Sequence, residues 1–276
     1  DSTIAYLEAK NHLDAQLSTL EHYKGQKLFI PGNHDWYTDG LKGLKREEKY
    51  VEDVLDDKDA FPPENGCPIE EIEVNDNILV VAIDTEWYIV NWDKHPTMND
   101  ECEIKTRSRF FEELESIIKK NRDKTVILAM HHPMFSYGSH GGQFSFKQGI
   151  YPSSSKIPLP LLGSAINLMR KTSGATSEDM SNRMYNELKK RVVTLSQYSD
   201  KIIFASGHEH TLQYIVESGK PQIVSGSGAK TGWTRLLNGS KFSTGRNGYA
   251  ILKVYGDGSS KVEFFGADAN ETALLY

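Results

Sequence analysis

The spacing of apolar residues along the chain predicts a regular succession of helices and strands. Apolar side chains three and four residues apart indicate helices with one buried face, and short apolar runs between turn residues indicate strands. The predicted helices cover residues 6–20, 41–55, 110–118, 161–171 and 184–198. The predicted strands cover residues 27–31, 69–74, 78–84, 125–130, 201–206, 249–255 and 261–265. Turn residues at 75–77 and 256–258 join two strand pairs, which we expect to form hairpins.

This alternation is typical of an α/β fold, in which helices cover a sheet. We therefore expect an α/β sandwich with hairpins beside strand–helix–strand units. Two segments, 84–105 and 131–160, show no clear period and are expected to be ordered loops. Because the chain shows no internal repeat and no linker-like change of composition, we expect a single domain over residues 1–276.

The composition is that of an ordinary globular protein. Of the 276 residues, 38% are hydrophobic and 25% are charged, which is enough to bury a core. The formal net charge is −6 with both signs mixed along the chain, and this argues against a nucleic-acid partner. No apolar run approaches the roughly 20 residues that span a bilayer, and the first residues do not resemble a signal peptide. We expect neither a membrane-spanning nor a targeting segment.

Cys67 and Cys102 are the two cysteines of the chain. They do not form a Cys-x-x-Cys pair, so a thiolate metal site is excluded. The sequence allows either one disulfide or two buried thiols, and the cellular compartment stays open on this evidence.

Residue types that bind metal ions follow three of the predicted strands. Strand 27–31 leads into Gly-Asn-His-Asp, strand 125–130 into His-His-Pro, and strand 201–206 into Gly-His-Glu-His. Each cluster alone could be a turn or a structural histidine. However, ligands collect at the carboxyl ends of strands in open α/β sheets. The coincidence of three such clusters therefore favours one joint site.

The segments GNHDWY, AMHHPMFSYGSHGG and SGHEH resemble the later motifs of the calcineurin-like metallophosphoesterases, the superfamily that includes the purple acid phosphatases. The resemblance implies their fold, a β-sandwich flanked by helices. The family pattern begins with DxH and GDxx, and neither motif precedes GNHD in this chain. We therefore expect a family member that lacks its first strand, helix and strand, which is an N-terminally incomplete domain.

The resemblance also implies a set of metal ligands. Asn33, His131 and His208 would bind one ion, and His210 would belong to a second, with two ions in the complete protein. Oxygen and nitrogen ligands without thiolate suit divalent or trivalent Mn, Fe or Zn. In the family, a metal-held hydroxide attacks phosphorus while the ions neutralise charge on the phosphoryl oxygens.

The same resemblance implies the residues that handle protons. His34 is similar to the family histidine that donates a proton to the leaving group, and Asp35 would hold its imidazolium form. The alternative for Asp35 is a cap of the loop. His140 is similar to a second pocket histidine of the purple acid phosphatases, and its alternative is a surface histidine in a glycine-rich loop.

Residues beside the proposed ligands have other expected roles. His132 and Glu209 should point away from the ligands, because consecutive residues that leave a strand tend to face opposite sides. Five aromatic residues near the clusters could form a substrate wall, but a place in the core is favoured. They are Trp36, Tyr37, Trp87, Tyr88 and Trp92.

The sequence thus predicts a metal-dependent phosphoesterase that acts on a phosphorylated small molecule. Monoesters are favoured because His34 and His140 resemble the purple acid phosphatase pattern. One alternative is a phosphodiesterase or nucleotidase on the same scaffold. The other is a catalytically silent module of a larger envelope protein, because without DxH and GDxx the second ion keeps only His210 as a ligand.

Three segments, GNHDWY, PENGCP and HHPMFS, are similar to bacterial relatives whose phosphoesterase domain belongs to an exported, envelope-associated protein. This similarity implies an exported protein, which would fit a disulfide between Cys67 and Cys102.

Overall fold

Two β-sheets packed face to face form the centre of the fold. The computed structural model describes residues 2–152, 155–267 and 272–273. The strands in these residues are β1 (Ile69–Asn75), β2 (Ile78–Ile83), β3 (Thr125–Met130), β4 (Ile202–Ser206), β5 (Leu212–Glu217), β6 (Lys220–Ser225), β7 (Ser240–Thr244), β8 (Gly248–Val254), β9 (Ser260–Gly266) and β10 (Thr272–Ala273). The helices are α1 (Ser2–Ser18), α2 (Asn33–Tyr37), α3 (Leu41–Leu55), α4 (Thr85–Ile89), α5 (Arg107–Lys120), α6 (Phe146–Ile150), α7 (Pro160–Thr172) and α8 (Arg183–Ser196).

The larger sheet contains seven strands in the order β1-β2-β3-β4-β6-β5-β7, and the smaller contains three in the order β10-β9-β8. Strands β2, β3, β4 and β6 run parallel to one another. Strand β1 pairs antiparallel with β2, and β5 pairs antiparallel with both β6 and β7. The parallel strands therefore occupy the middle of the sheet, where both faces can be covered.

The register of the parallel strands aligns their carboxyl ends. Ile83 of β2 lies opposite Met130 of β3, and Met130 lies opposite Ser206 of β4. The residues that follow these strands, including His131, therefore start from the same edge of the sheet. This edge is where the polar clusters of the sequence come together.

Alternating side chains of the larger sheet enter two different cores. Val126 and Leu128 of β3 belong to the larger core beneath the helices. On the other face, Ile203 of β4 packs with Val262 and Phe264 of the smaller sheet. The near-continuous apolar runs of the central strands follow from this burial on both faces. The α/β sandwich flanked by helices is thus confirmed.

The sequence pattern located most elements correctly. Both hairpins, β1–β2 and β8–β9, are present with antiparallel pairing. The predicted strand at 27–31 is wrong. No residue of that segment belongs to a β-ladder. The backbone hydrogen bond described for it runs from Phe29 N to Ala60 O, at 2.7 Å. An apolar run indicates burial, but a strand also needs a neighbour that pairs with it along its length.

Both predicted loops, and the polar segment after residue 31, contain short helices. The loop 84–105 includes α4, and the loop 131–160 includes α6. The polar segment after residue 31 forms α2. None of the helices in the described ranges has the length and apolar character needed to cross a membrane.

Cys67 and Cys102 form a disulfide, with their Cα atoms 5.5 Å apart. The bond ties the turn before β1 to the loop before α5, two segments 35 residues apart in sequence. Of the two possibilities that the sequence allows, the structure has the disulfide.

We predict that replacing both cysteines by serine lowers the free energy of unfolding by about 3 kcal/mol, because the cross-link restricts the unfolded chain. Urea unfolding of the double variant and the wild-type protein measures the difference. Non-reducing mass spectrometry should show a wild-type chain two hydrogens lighter than its reduced form. Two freely alkylated thiols in the wild-type protein would contradict the prediction.

Candidate metal centre

His131 and His208 face each other at the carboxyl edge of the larger sheet. His131 follows β3 directly, and His208 lies just beyond β4. Nε2 of His131 is 3.2 Å from Nδ1 of His208, and the ring centroids are 5.1 Å apart. The backbone of His208 has a φ of 60°, a left-handed conformation that is uncommon outside glycine. Such conformations cluster at functional sites, where the surrounding structure holds them.

Both histidines are held neutral by their surroundings. Burial, together with positive charge from His34, His140 and His210, lowers the pKa of His131 to about 3. Burial and the neighbouring histidines likewise lower the pKa of His208 well below its ordinary value. A metal ligand must be a neutral imidazole with a free lone pair, and this environment favours that form.

The spacing of the two nitrogens fits a shared ion. Nitrogens that bind one Zn²⁺ at 2.0–2.1 Å with a tetrahedral angle stand about 3.3 Å apart, which is close to the 3.2 Å observed. The other ring nitrogen of His208, Nε2, donates to the backbone oxygen of Glu178 at 3.0 Å. Metal-binding histidines commonly donate their second N–H in this way.

Asn33 is the third proposed ligand and lies at the start of α2. Its side chain is 2% exposed. Nδ2 donates to the hydroxyl of Tyr37 at 2.6 Å and to Oε1 of Glu178 at 3.1 Å. Oδ1 is buried and has no hydrogen-bond partner among the described residues. An unpartnered buried carbonyl is costly, so this oxygen fits an additional partner such as a cation.

Gly32 brings α2 into contact with the histidines. A Cβ at this position would lie 2.6 Å from Nδ1 of His131. The backbone can therefore approach the ring only because residue 32 has no side chain. The structure thus links the Asn33 segment directly to the His131–His208 pair.

His140 also lies against this pair. Its ring centroid is 4.4 Å from that of His208, and its Nδ1 is 3.7 Å from Oδ1 of the buried Asp179. Burial opposes the charged form, but the Asp179 carboxylate and the charge of Glu209 raise the pKa of His140 above its ordinary value. His140 is therefore not a surface histidine, and its environment favours the imidazolium.

Glu209 supports the loop that carries His140. Its carboxylate accepts hydrogen bonds from Ser136 Oγ at 3.0 Å and from Gly141 N at 2.9 Å. The side chain is buried, and burial raises the pKa of its carboxyl group. Its contacts lie within the loop 136–141, in agreement with the expected orientation away from the ligands.

His132 is closer to the centre than the sequence suggested. Its ring is fully buried, 4.9 Å from the His131 centroid and 4.3 Å from that of His208. Nδ1 lies 2.7 Å from Thr85 Oγ1, and Nε2 has no hydrogen-bond partner within the part of the chain that the structure describes. A nitrogen of His132 lies within 4.8 Å of ligand nitrogens of both other histidines. The three rings therefore form one cluster that could hold a metal ion.

His34 and His210 lie further out around the same cluster. The charges of both residues lower the pKa of His131, so both are near it. His34 is exposed, with its ring centroid 4.9 Å from that of Tyr37. His210 is half-buried, and burial together with the charge of Lys230 lowers its pKa.

Asp35 has contacts that the sequence did not reveal. Its Oδ2 accepts a hydrogen bond from Gly32 N at 2.7 Å and so caps α2, which is the alternative stated for this residue. The carboxyl group also pairs with that of Glu47. Burial and the charge of Asp35 raise the pKa of Glu47 to about 8. The charge of His34 acts on Asp35 as well, but the role of Asp35 in acid catalysis stays a prediction.

The aromatic residues divide between core and surface. Trp36, Trp87 and Tyr88 are buried in the core, as favoured, and Trp92 packs against it. Tyr37 is 51% exposed, and its hydroxyl donates to Oε1 of Glu178.

Sequence reasoning missed Glu178 and Asp179. Both lie between α7 and α8, far along the chain from the Asn-His-Asp motif. An acidic pair in a polar loop has no recognisable sequence pattern. Only the folded structure shows that the two residues contact His208 and His140.

The fold and this cluster define a class, an α/β protein with buried histidines that could hold a metal ion at the carboxyl ends of the parallel strands of its larger sheet. The sequence profile described as "Calcineurin-like phosphoesterase" matches residues 5–162, more than half of the chain. The chain therefore belongs to the calcineurin-like phosphoesterase family, which confirms the resemblance. Family members are metal-dependent hydrolases of phosphoesters.

Among solved structures, GAP50, "the anchor in the inner membrane complex of Plasmodium", matches with a TM-score of 0.51 and 15% identity, covering 92% of this chain and 67% of that chain. Purple acid phosphatase PPD1 from yellow lupin (Lupinus luteus) seeds matches with a TM-score of 0.47 and 14% identity, covering 91% of this chain and 38% of that chain. A comparison with curated proteins finds no match. At such identities, the likeness to GAP50 is one of fold.

We predict that Gly32→Ala weakens binding of Zn²⁺ at least about tenfold, because the new methyl group displaces the His131 ring. The matched control is Gly207→Ala, whose Cβ would lie 3.8 Å from the same Nδ1, an ordinary contact. Calorimetric titration of chelator-treated protein measures both. Equal affinities in the two variants would show that Gly32 does not set the ring position.

We predict that Glu47→Gln makes the protein more stable at pH 8 than the wild type by about 2 kcal/mol, with a smaller difference at pH 5. The folded protein holds a proton on Glu47 up to about pH 8, whereas the unfolded chain releases it at about pH 4.3. Wild-type stability from this group therefore falls as the pH rises between these values. Urea unfolding at both pH values tests this, and a difference independent of pH would contradict it.

Proposed function

We propose that the protein hydrolyses phosphate esters at a metal centre held by Asn33, His131 and His208, with His210 contributing to a second ion. The observation that carries the proposal is the pair of facing imidazole nitrogens 3.2 Å apart. The buried oxygen of Asn33, which has no hydrogen-bond partner among the described residues, adds support. This donor set contains no thiolate and suits Mn, Fe or Zn. Membership of the calcineurin-like family supports the same chemistry.

Bound metal ions would supply Lewis acidity, which neutralises charge on the phosphoryl group. The protein contributes ligands that are already neutral and close together. The low pKa of His131 means that its ring is neutral near pH 7, so that one of its two nitrogens has a lone pair for a cation. The buried Oδ1 of Asn33 has no hydrogen-bond partner within the described ranges, so a bound cation would provide one.

We assign His34 as the general acid. Its ring is exposed at the edge of the cluster, where a leaving group can reach it, and its neighbour Asp35 is held in place by the cap of α2. A cleft of about 750 Å³ opens beside His34, lined by residues of α1 and α3. This size suits a small phosphorylated substrate.

His140 supports a preference for monoesters. Its environment favours the imidazolium, and a cationic donor close to His208 would stabilise the additional negative charge that a monoester carries. The competing activity is that of a phosphodiesterase or nucleotidase. Faster hydrolysis of bis(p-nitrophenyl) phosphate than of p-nitrophenyl phosphate would favour that alternative.

We further propose that the protein works in an oxidising compartment, as an exported or envelope-associated protein. The disulfide between Cys67 and Cys102 supports this, because such bonds are rare in reducing compartments. Fractionation of cells that express the native gene would test it.

The direct test is metal-dependent hydrolysis. Chelator-treated protein should be inactive toward p-nitrophenyl phosphate and regain turnover when Mn, Fe or Zn is added, with metal content measured by elemental mass spectrometry. A chain that binds metal without turnover would support the alternative of a catalytically silent module.

We predict that His34→Ala lowers turnover of alkyl phosphates about 100-fold or more, while turnover of p-nitrophenyl phosphate falls much less. A good leaving group needs no proton, so only poor ones depend on the acid. Metal content should be unchanged, and the exposed His22→Ala serves as the control. Loss of metal in His34→Ala, or equal effects on both substrates, would rule out the acid role.

A further inference from the structure

Glu178 contacts two of the proposed metal ligands, Asn33 and His208. It lies between α7 and α8 and is half-buried. Its carboxylate contacts the Asn33 side chain, and its backbone oxygen contacts the His208 ring. Glu178 thus links two segments of the site that lie far apart in the sequence.

The carboxylate accounts for the orientation of the Asn33 amide. Nδ2 of Asn33 has two hydrogens, and two acceptors lie beside it, Glu178 Oε1 at 3.1 Å and the Tyr37 oxygen at 2.6 Å. The Tyr37 hydroxyl donates its own hydrogen to the same Oε1. An ionised carboxylate can only accept hydrogen bonds. The reversed amide would place its carbonyl against Glu178 with no proton between them.

Both donors of Asn33 are therefore used, and Oδ1 is the atom left over. It is this oxygen that is buried without a partner in the described structure. The same contacts that occupy Nδ2 thus keep the carbonyl available to a cation.

The backbone oxygen of Glu178 has the corresponding effect on His208. A carbonyl can only accept, so the 3.0 Å contact places the proton of His208 on Nε2. In the neutral ring, the lone pair is then on Nδ1. That nitrogen faces Nε2 of His131.

We propose that Glu178 is a positioning residue for the metal centre, whose side chain orients the Asn33 amide and whose backbone oxygen sets the tautomer of His208. This inference rests on the proposed function, because it takes Asn33 and His208 as ligands. Partners that orient metal ligands typically change metal affinity 10–100-fold when removed.

The test compares Glu178→Ala with Glu178→Gln. Alanine removes the acceptor, whereas glutamine keeps an oxygen in the same place and loses only the charge. Chelator-treated proteins are titrated with Zn²⁺ by calorimetry, and circular dichroism checks that each variant is folded. Ser177→Ala, an exposed change in the same segment, is the matched control.

We expect Glu178→Ala to raise the Kd for Zn²⁺ about 10–100-fold, and Glu178→Gln to stay within about fivefold of the wild type. An unchanged Kd in Glu178→Ala overturns the proposal. A loss in Glu178→Gln as large as in Glu178→Ala also overturns it, since the charge would then matter and not the acceptor.

A second measurement needs no metal. The side-chain amide signals of Asn33, assigned with Asn33→Asp, should shift in the metal-free Glu178→Ala protein and remain in place in Ser177→Ala. Ring ¹⁵N shifts of wild-type His208 should show a proton on Nε2. Unmoved amide signals, or a proton on Nδ1, contradict the positioning role.

These experiments distinguish a failure of the proposed function from a failure of the role of Glu178 alone. If the wild-type protein binds no Zn²⁺, the proposed function and this inference fail together. If the wild-type protein binds Zn²⁺ and Glu178→Ala binds it equally well, only the role of Glu178 fails.

Discussion

The shared register of the parallel strands is the constraint on which the site depends. Because β2, β3 and β4 end level with one another, the next residue of each strand emerges at the same edge. His131 and His208 reach each other although they are 77 residues apart in sequence. A slip of one residue in either pairing would turn every side chain of that strand to the other face. The apolar cores on both faces of the sheet therefore also maintain the distance between the two rings.

Around this pair, buried polar groups fix the loops. Glu209 lies between the two histidines of its motif, yet its carboxylate holds the loop 136–141 through Ser136 and Gly141. Asp179 accepts two hydrogen bonds from Arg170 Nε and Nη2 at 3.0 and 2.7 Å and faces His140. Burying a charge is costly unless partners satisfy it. These residues therefore give rigidity to loops that the sheet alone would not hold.

The periodicity of apolar residues predicted the parts of the fold whose pattern is typical of only one kind of secondary structure. The central strands and the amphipathic helices α5 and α8 have a clear period, and they are present. The segment 27–31 has the apolar character of a strand without a continuous partner, and no local pattern contains that information. The helix α2 has only five residues, too few to show an apolar period, and its N-terminus is held by the hydrogen bond from Gly32 N to Asp35.

The residues of the candidate site likewise divide into those that the sequence predicts and those that it does not. The histidine clusters could be found because each lies next to a strong strand signal. Glu178 could not, because its contact with Asn33 spans 145 residues, and an acidic residue in a loop is ordinarily solvated. The role proposed for Glu178 follows from the geometry of two contacts. Its carboxylate accepts from the Asn33 amide, and its backbone oxygen accepts from the His208 ring. Each contact allows only one orientation of the amide or one tautomer of the ring.

The left-handed backbone at His208 has a consequence for how the protein can change. A non-glycine residue in this conformation costs about 1–2 kcal/mol, so glycine or asparagine at this position would relieve strain. The gain in thermal stability would come with the loss of a central imidazole. Selection for thermal stability alone would therefore favour replacing His208. Selection to keep the imidazole would maintain a strained backbone at this position. A more stable backbone and an intact histidine cluster are thus opposed at one residue, in the bend that follows β4.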